Sequence, residues 1–215
     1  MILNIPNHVS FIMDGNGRWA AIKNKPRFYG HKWGAKVIPK ISKFCLENNI
    51  KNISFFAFSI ENFSRPKTEV DFLMQQVKIN FDDSYVDSLI KNSVRFNWVG
   101  FHDNLDDDII SHLKNLEKRT KKCSAMNVYL FFNYSFSKEI SSALLNREMI
   151  TKNIPQIDLL IRTSGEKRIS NYCMNLLLYS EIIFEKTLWP DYKIKNLKEN
   201  LKEFSKRERR FGNVK

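Results

Sequence analysis

A chain of 215 residues suits one domain, and with 43% apolar and 13% aromatic residues it can bury a full core, which excludes disorder as its main state. Seven Gly and six Pro are too few for a collagen-like or linker-like chain, and three widely spaced cysteines (Cys45, Cys123, Cys173) without a CxxC pair support neither a disulfide framework nor a zinc cluster. The thiols are expected to be buried. The net charge of +12 points to anionic partners: phosphates, an anionic membrane surface or a nucleic acid. Half of it falls between Lys193 and Lys215, where nine Lys and Arg meet three Glu. Charge alone does not choose among these partners, but no aromatic residues interleave with that basic run as they do in single-strand binders. No apolar stretch approaches the ~18 residues of a membrane helix. The opening segment, Met1 to Met13, lacks Lys and Arg and contains Pro6, unlike a signal peptide, so the expected address is cytoplasmic.

In chain order, short β-rich runs alternate with helix-length segments. Runs at 9–13, 53–58, 94–99, 128–132 and 158–161 are nearly continuous apolar stretches, as in strands covered on both faces. Segments 34–48, 69–92 and 106–123 read as helices. This alternation predicts an α/β fold: one domain over 1–215 with a central, mostly parallel sheet flanked by helices. Ligands of such folds sit beyond the carboxyl ends of the strands, so the residues after each run carry the functional information.

After the first run comes Asp14-Gly15-Asn16-Gly17-Arg18-Trp19. Its glycines allow a tight turn that presents backbone N–H groups to an anion, Arg18 adds a charge-assisted contact, and Asp14 suits a hard cation such as Mg²⁺. The plainer alternative is an Asp-Gly turn with a capping Asp. The spacing is neither GxGxxG nor GxxxxGK[ST]. Arg27 and His31 follow beside a second glycine-bearing turn. The last run leads into Arg162-Thr163-Ser164-Gly165-Glu166-Lys167-Arg168-Ile169-Ser170, a second candidate anion site through Arg162, Arg168 and Ser170. Glu181, a carboxylate among apolar neighbours, is expected to have a partner, either a salt bridge or a metal ion. Two anion-binding loops and two acidic candidates describe a Mg²⁺-assisted enzyme acting on two phosphorylated molecules.

The segments His8–Ala20, Arg27…Gly30-His31…Gly34, Phe58–Pro66 with Glu69-Val70, Asp158–Asn171, Tyr179–Asp191 and Arg207–Gly212 together resemble the cis-prenyltransferases, in order and over nearly the whole chain. The resemblance implies repeated cis-condensation of isopentenyl diphosphate onto an allylic diphosphate, usually farnesyl diphosphate. The product it implies is undecaprenyl diphosphate, precursor of a cell-wall lipid carrier; a different product length, or a non-catalytic prenyl-lipid-binding subunit, are the alternatives. It implies Asp14 as catalytic acid and Mg²⁺ ligand, with Glu181 helping the metal. Gly15, Asn16, Gly17, Arg18, Trp19, Arg27 and His31 would hold the allylic diphosphate, and Arg162, Arg168 and Ser170 the isopentenyl diphosphate. Asn16, Ser59 and Asn62 would assist proton removal, with Glu61, Phe63 and Arg65 completing the substrate loop. It also implies a homodimer whose Arg209–Gly212 tail reaches the partner, and no nucleic acid. Burial of about 0.8 kcal/mol per carbon group makes a long product leave more easily into a membrane than into water, so transient association with the inner membrane face for product release is expected. Phe72, Leu73, Val77 and Phe81 are candidate walls of an apolar product tunnel. The chain departs from the family where Ser135-Phe136-Ser137-Lys138 follows Asn133-Tyr134 in place of Gly-Gly-Arg. It departs again at Lys167, where His is usual.

Overall fold

A computed structural model describes residues 4–209. The chain runs β1 (His8–Ile12), α1 (Asn16–Ile22), α2 (Arg27–Ala35), α3 (Ile38–Glu47), β2 (Asn52–Ser59), a 3-10 turn over Ile60–Ser64, α4 (Lys67–Asn80), α5 (Asp83–Lys91), β3 (Val94–Val99) and α6 (Asp107–Thr120). It continues with β4 (Met126–Tyr134), α7 (Phe136–Asn146), β5 (Leu159–Arg162), β6 (Glu181–Phe184) and α8 (Ile194–Ser205). The six strands form one sheet in the order β3-β4-β2-β1-β5-β6. Every pairing is parallel, so the expected architecture holds.

Alternation along the strands divides the core into two layers. Val9 and Phe11 of β1 join Ile53, Phe55 and Phe58 of β2 on one face, against α3, α4 and α8. Ile12 and Phe56 turn to the other face, with Phe131, Tyr134 and Tyr172. The first layer is largely apolar, its buried polar groups including the Tyr192 hydroxyl, which donates to Asn200 Oδ1 at 2.7 Å. The second carries a polar seam: Ser10 Oγ shares a 2.7 Å hydrogen bond with the Tyr172 hydroxyl, and His8 Nε2 lies 2.5 Å from Ser54 Oγ. His8 Nδ1 is 2.8 Å from the Pro155 carbonyl, which can only accept, so Nδ1 carries the proton and Ser54 donates to Nε2. The fully buried Glu139 carboxylate is satisfied likewise, by the Tyr134 hydroxyl and by the Thr151 N–H and hydroxyl.

Several expectations need correction. The 69–92 segment is two helices, broken at Phe81–Asp82, where Asp82 caps α5 by accepting from Tyr85 N at 2.9 Å. The 34–48 segment is likewise split between α2 and α3 by a turn at 36–37. The Gly-Asn-Gly stretch is already helical from Asn16, and β6 is an additional strand. Cys45 and Cys173 are buried, but Cys123 is half-buried. The Ser135-Phe136-Ser137 departure needs no glycine: Ser135 is extended (φ −151°) and Phe136 simply begins α7. Residues 210–212 of the expected tail lie outside the described residues. No helix among the described residues is long and apolar enough to cross a membrane.

Burial holds the His8 pKa down to about 4, against the opposing pull of the Pro155 carbonyl and Asp158. An unfolded histidine protonates near pH 6.5, so between about pH 6.5 and pH 4 the unfolded state binds the extra proton, and stability falls as pH falls. Urea unfolding at pH 7 and pH 5 is expected to show a loss of about 2 kcal/mol from this group, absent in His8→Gln. An equal loss in wild type and variant would remove His8 as its source.

Candidate active site

The strand order reverses direction between β1 and β5: β1 connects toward β2 on one side, while β5 connects toward β6 on the other. A crevice opens at such a switch point, beyond the carboxyl ends of the two strands. Ile12 of β1 is level with Arg162 of β5, so the next residues of each strand face the same crevice. Asp14 and Arg162 meet there, with Arg162 Nη2 2.9 Å from Asp14 Oδ2. Burial opposes ionisation of Asp14, but the hydrogen bond and charge of Arg162, the Gly15 N–H at 2.6 Å and the charge of Arg18 outweigh it and hold its pKa below the ordinary value. Thr163 fixes the loop from below by donating to the Asp14 carbonyl at 2.7 Å.

The glycines of this loop do different work. Gly15 turns the chain at φ +103°, and a β-carbon there would press on Leu188 and Ser164. Gly17 is helical; it leaves room for the Arg27 guanidinium, which a β-carbon would approach to 2.7 Å. Gly30 and Gly34 let α2 lie directly on Asn16, at its carbonyl and its side-chain oxygen respectively. Asn16 Nδ2 donates to the Met13 carbonyl, while its Oδ1 is buried without a hydrogen-bond partner. The Trp189 indole N–H closes the arrangement on the Gly34 carbonyl at 2.9 Å.

A cavity of about 360 Å³ extends from Asp14 across the apolar face of the sheet, beneath α2, α4 and α5. Its polar end holds Asp14, Asn16, His31, Ser59, Asn62 and Arg65, with Arg162, Arg168 and Ser170. Its other walls are mainly apolar, interrupted by Gln76 and Asn80 of α4, and Phe81 and Tyr85 line it on the side of the edge strand β3, three strands from β1 and therefore roughly 14 Å away. Leu73 and Val77 also line it, as expected for tunnel walls; Phe72 instead packs on Phe28 at 5.0 Å.

Two carboxylates that the sequence reading left without a role organise the cations. Glu69 of α4 is buried and receives Arg27 and Arg65, each at 3.1 Å, with His31 Nε2 at 3.5 Å. His31 and the two guanidiniums outweigh burial and lower its pKa to about 2. Glu166 pairs with Arg18 at 3.3 Å and with Arg168, while Arg18 also donates to Ser164 Oγ at 2.5 Å. Arg162 reaches both Ser170 Oγ at 2.7 Å and the Arg168 carbonyl. Ser164, Ser170 and Asn171 all have positive φ (79°, 49° and 57°), a concentration of backbone strain that marks the second loop as built for more than connection.

Four expected site residues lie elsewhere. Trp19 is buried against Tyr29, ring centroids 5.9 Å apart. Phe63 packs edge-on against Phe58. Glu61 faces Ser135 Oγ at 3.1 Å and Asn171 Nδ2, which ties the β2 loop to the start of α7. Glu181 begins β6, level with Leu159, and pairs with Arg207 at 2.7 Å. That places it about five residues, roughly 16 Å, down the sheet from Asp14. No group of three or more His, Cys, Asp or Glu side chains among the described residues could hold a metal ion by itself.

The comparisons with known proteins agree with this geometry. The family model "Putative undecaprenyl diphosphate synthase" matches residues 12–212. The isoprenyl transferase of Aquifex pyrophilus is 38% identical over 100% of this chain and 99% of its own length. That of Helicobacter pylori is 34% identical over 99% of each. Among solved structures, lavandulyl diphosphate synthase from Lavandula x intermedia, in complex with dimethylallyl diphosphate, superposes with a TM-score of 0.88 at 27% identity, covering 97% of this chain and 99% of that one. A probable undecaprenyl diphosphate synthase from Campylobacter jejuni gives 0.80 at 32% identity, over 98% and 100%. With one sheet, one switch-point crevice and relatives matched end to end, the chain belongs to the cis-prenyltransferase family and is a transferase of prenyl groups.

Proposed function

We propose that this chain extends farnesyl diphosphate with successive isopentenyl diphosphate units, each new double bond cis, to a polyprenyl diphosphate of undecaprenyl length. The observation that carries the reading is the meeting of two cationic cradles at one carboxylate, at the polar end of an apolar cavity. One cradle is the Gly15–Arg18 loop with Arg27, His31 and Arg65, suited to the allylic diphosphate. The other is Arg162, Arg168 and Ser170, suited to isopentenyl diphosphate. A single family domain over 1–215 accounts for both, since one sheet carries them.

The chemistry requires the allylic C–O bond to break with both electrons leaving on the diphosphate. The isopentenyl double bond then supplies the pair for the new C–C bond, and loss of a proton from its C2 restores a double bond. Guanidiniums aimed at the leaving group stabilise the charge that develops. Asp14 fits Mg²⁺ arriving with a diphosphate rather than a free ion: it is one ionised carboxylate beside two guanidiniums, and Mg²⁺ characteristically uses one or two carboxylates with substrate phosphates. When bound, the ion would screen the leaving diphosphate. Asn16, Ser59 and Asn62 line the cavity at the same end, where their polar groups are suited to steering the departing proton.

A shorter product is the second reading. The cavity matches the volume of an ordinary small-ligand pocket, roughly 300–1,000 Å³. A growing chain would have to displace Phe81 and Tyr85 or leave the cavity. Incubation with farnesyl and isopentenyl diphosphates, followed by mass spectrometry, separates these readings. A Mg²⁺-dependent polyprenyl ladder lost in Asp14→Ala is expected, and its longest rung reads the product. No elongation by the folded wild type would overturn the activity.

Gly17→Ala isolates Arg27. The new methyl meets only the end of a flexible side chain, so the fold should survive while the guanidinium moves. The Michaelis constant for the allylic diphosphate is expected to rise about tenfold, the loss of one charge-assisted hydrogen bond. A thermal melt should be nearly unchanged; unchanged steady-state kinetics would remove Arg27 from the cradle.

A homodimer follows from two features. Leu144 and Leu145 at the end of α7, and Leu178 and Tyr179 before β6, are 79%, 84%, 72% and 62% exposed. The stretch after the first and the stretch before the second are joined, Asn175 Nδ2 donating to Thr151 Oγ1 at 2.8 Å. A second copy would cover them. The separation of Glu181 from Asp14 also means that a metal ion shared by the two carboxylates needs Glu181 from another copy. Sedimentation of wild type at twice the 25.5 kDa chain mass, and of the Leu144→Glu, Leu145→Glu variant at that mass, is expected. A wild-type monomer would sink the assembly.

A further inference from the structure

Between Asp14 and Glu47 the chain has eight Lys and Arg and no Asp or Glu. The structure folds this stretch into the α1–α2 hairpin and α3. Residues 21–28, the apex of the hairpin, are all exposed. Arg18, Arg27 and Lys43 are matched by Glu166, Glu69 and Glu47. Lys23, Lys25, Lys32, Lys36 and Lys40 are exposed and have no carboxylate at ion-pair distance among the described residues.

Apolar groups stand among these ammoniums. Ile22 is 74% exposed, Phe28 43% and Trp33 40%. Trp19, Tyr29 and Trp33 pack together between the two helices, with Lys23 over the Trp19 ring at 4.7 Å and Lys36 over the Trp33 ring at 4.4 Å. The apex is therefore held firm by its own aromatic wedge. Exposed isoleucine, phenylalanine and tryptophan within a field of unpaired lysines match the interfacial zone of an anionic bilayer, where rings sit at the headgroups and lysines meet lipid phosphates. A nucleic acid would use the charge but leave Ile22 without purpose.

We propose that the α1–α2 apex docks the protein on an anionic lipid surface. It continues into helices that wall the cavity. α2 carries His31, Gly34 and Ala35 from the apex to the cavity, and Phe28 packs on Phe72 of α4, whose Leu73 and Val77 line it. Docking there brings the walls of the apolar cavity to the bilayer, so a hydrophobic product can transfer without crossing water. This rests on the prenyl-transfer reading for its purpose, but not for its measurement.

The test is co-sedimentation with phosphatidylcholine vesicles, pure or with about 30% phosphatidylglycerol. Wild type should bind the anionic vesicles at least tenfold better, less so as salt rises. Lys23→Glu with Lys25→Glu should weaken binding at least about 30-fold, at roughly fivefold per lysine lost and more for the negative charges gained, and Ile22→Ser should weaken it severalfold. The rate of the first condensation in detergent-free buffer should not change. Lys198→Glu with Lys202→Glu, on the exposed face of α8, should retain binding. The proposal is overturned by equal binding to both vesicle types, by an equal loss in the α8 variant, or by binding to a DNA duplex with none to vesicles. Failure of wild type to transfer prenyl groups would instead sink the function reading and leave the vesicle result standing.

Discussion

The ion pair between Asp14 and Arg162 is the constraint around which the rest is arranged. It exists because β1 and β5 are parallel neighbours in register, Ile12 beside Arg162, at the point where the sheet changes direction. A slip of one residue in either strand would turn the functional side chain to the other face. Register is secured by the buried partners on both faces: Val9 and Phe11 in one layer, Ile12 in the other, and the His8 and Ser10 hydrogen bonds between them. The polar seam in the second layer therefore has a use beyond satisfying its own atoms, since apolar contacts alone tolerate slippage that a directed hydrogen bond does not.

A site with this many cations faces a second constraint. Arg18, Arg27, Arg65, Arg162 and Arg168 converge with His31 on one crevice, and without counter-charge they would repel one another and swing outward. Glu69, Glu166 and Asp14 each hold two or more of them. The buried position of Glu69 strengthens its grip, and its depressed pKa keeps it ionised throughout the working range. The carboxylates hold the guanidiniums in fixed orientations ahead of any anionic ligand. Preorganisation of this kind is what makes electrostatic stabilisation effective, because no reorientation remains to be done during the reaction.

How much of this was legible in the sequence depended on the kind of signal. The strands β1 to β5 announced themselves as apolar runs, and the loops after β1 and β5 as charged, glycine-bearing stretches. The helix at Asn16 was hidden because two glycines beside Asn look like a turn; only Gly15 makes one, and Gly17 is small for the sake of Arg27, about 38 Å of contour away but adjacent in space. The break at Phe81–Asp82 was signalled by a capping aspartate inside a longer periodic pattern, which the periodicity outweighed. The task of Glu69 is not legible in the sequence, since three cations meeting at one carboxylate is a property of α2 and α4 packing together. The apolar neighbours of Glu181 call for a partner without saying which kind, and the structure supplies one in Arg207. Its distance from Asp14 is legible only once β6 is seen as a parallel strand that begins at Glu181, at the amino end of the sheet.

The apolar cavity and the basic apex are two consequences of one fold. The α1–α2 hairpin must lie close over β1 to bring Arg27 and His31 to Asp14, which is why Gly30 and Gly34 are bare against Asn16. A hairpin held so tightly at its base projects its tip into solvent, and the tip cannot be neutralised by acids without drawing the arginines of the site outward. An acid-free tip thus protects the site's own electrostatics, and the lysines left unpaired there face whatever surface the protein meets. The helix α2 that projects this tip also walls the cavity through His31, Gly34 and Ala35. The charge pattern around the arginines of the crevice and the presentation of the cavity are thus set by one element.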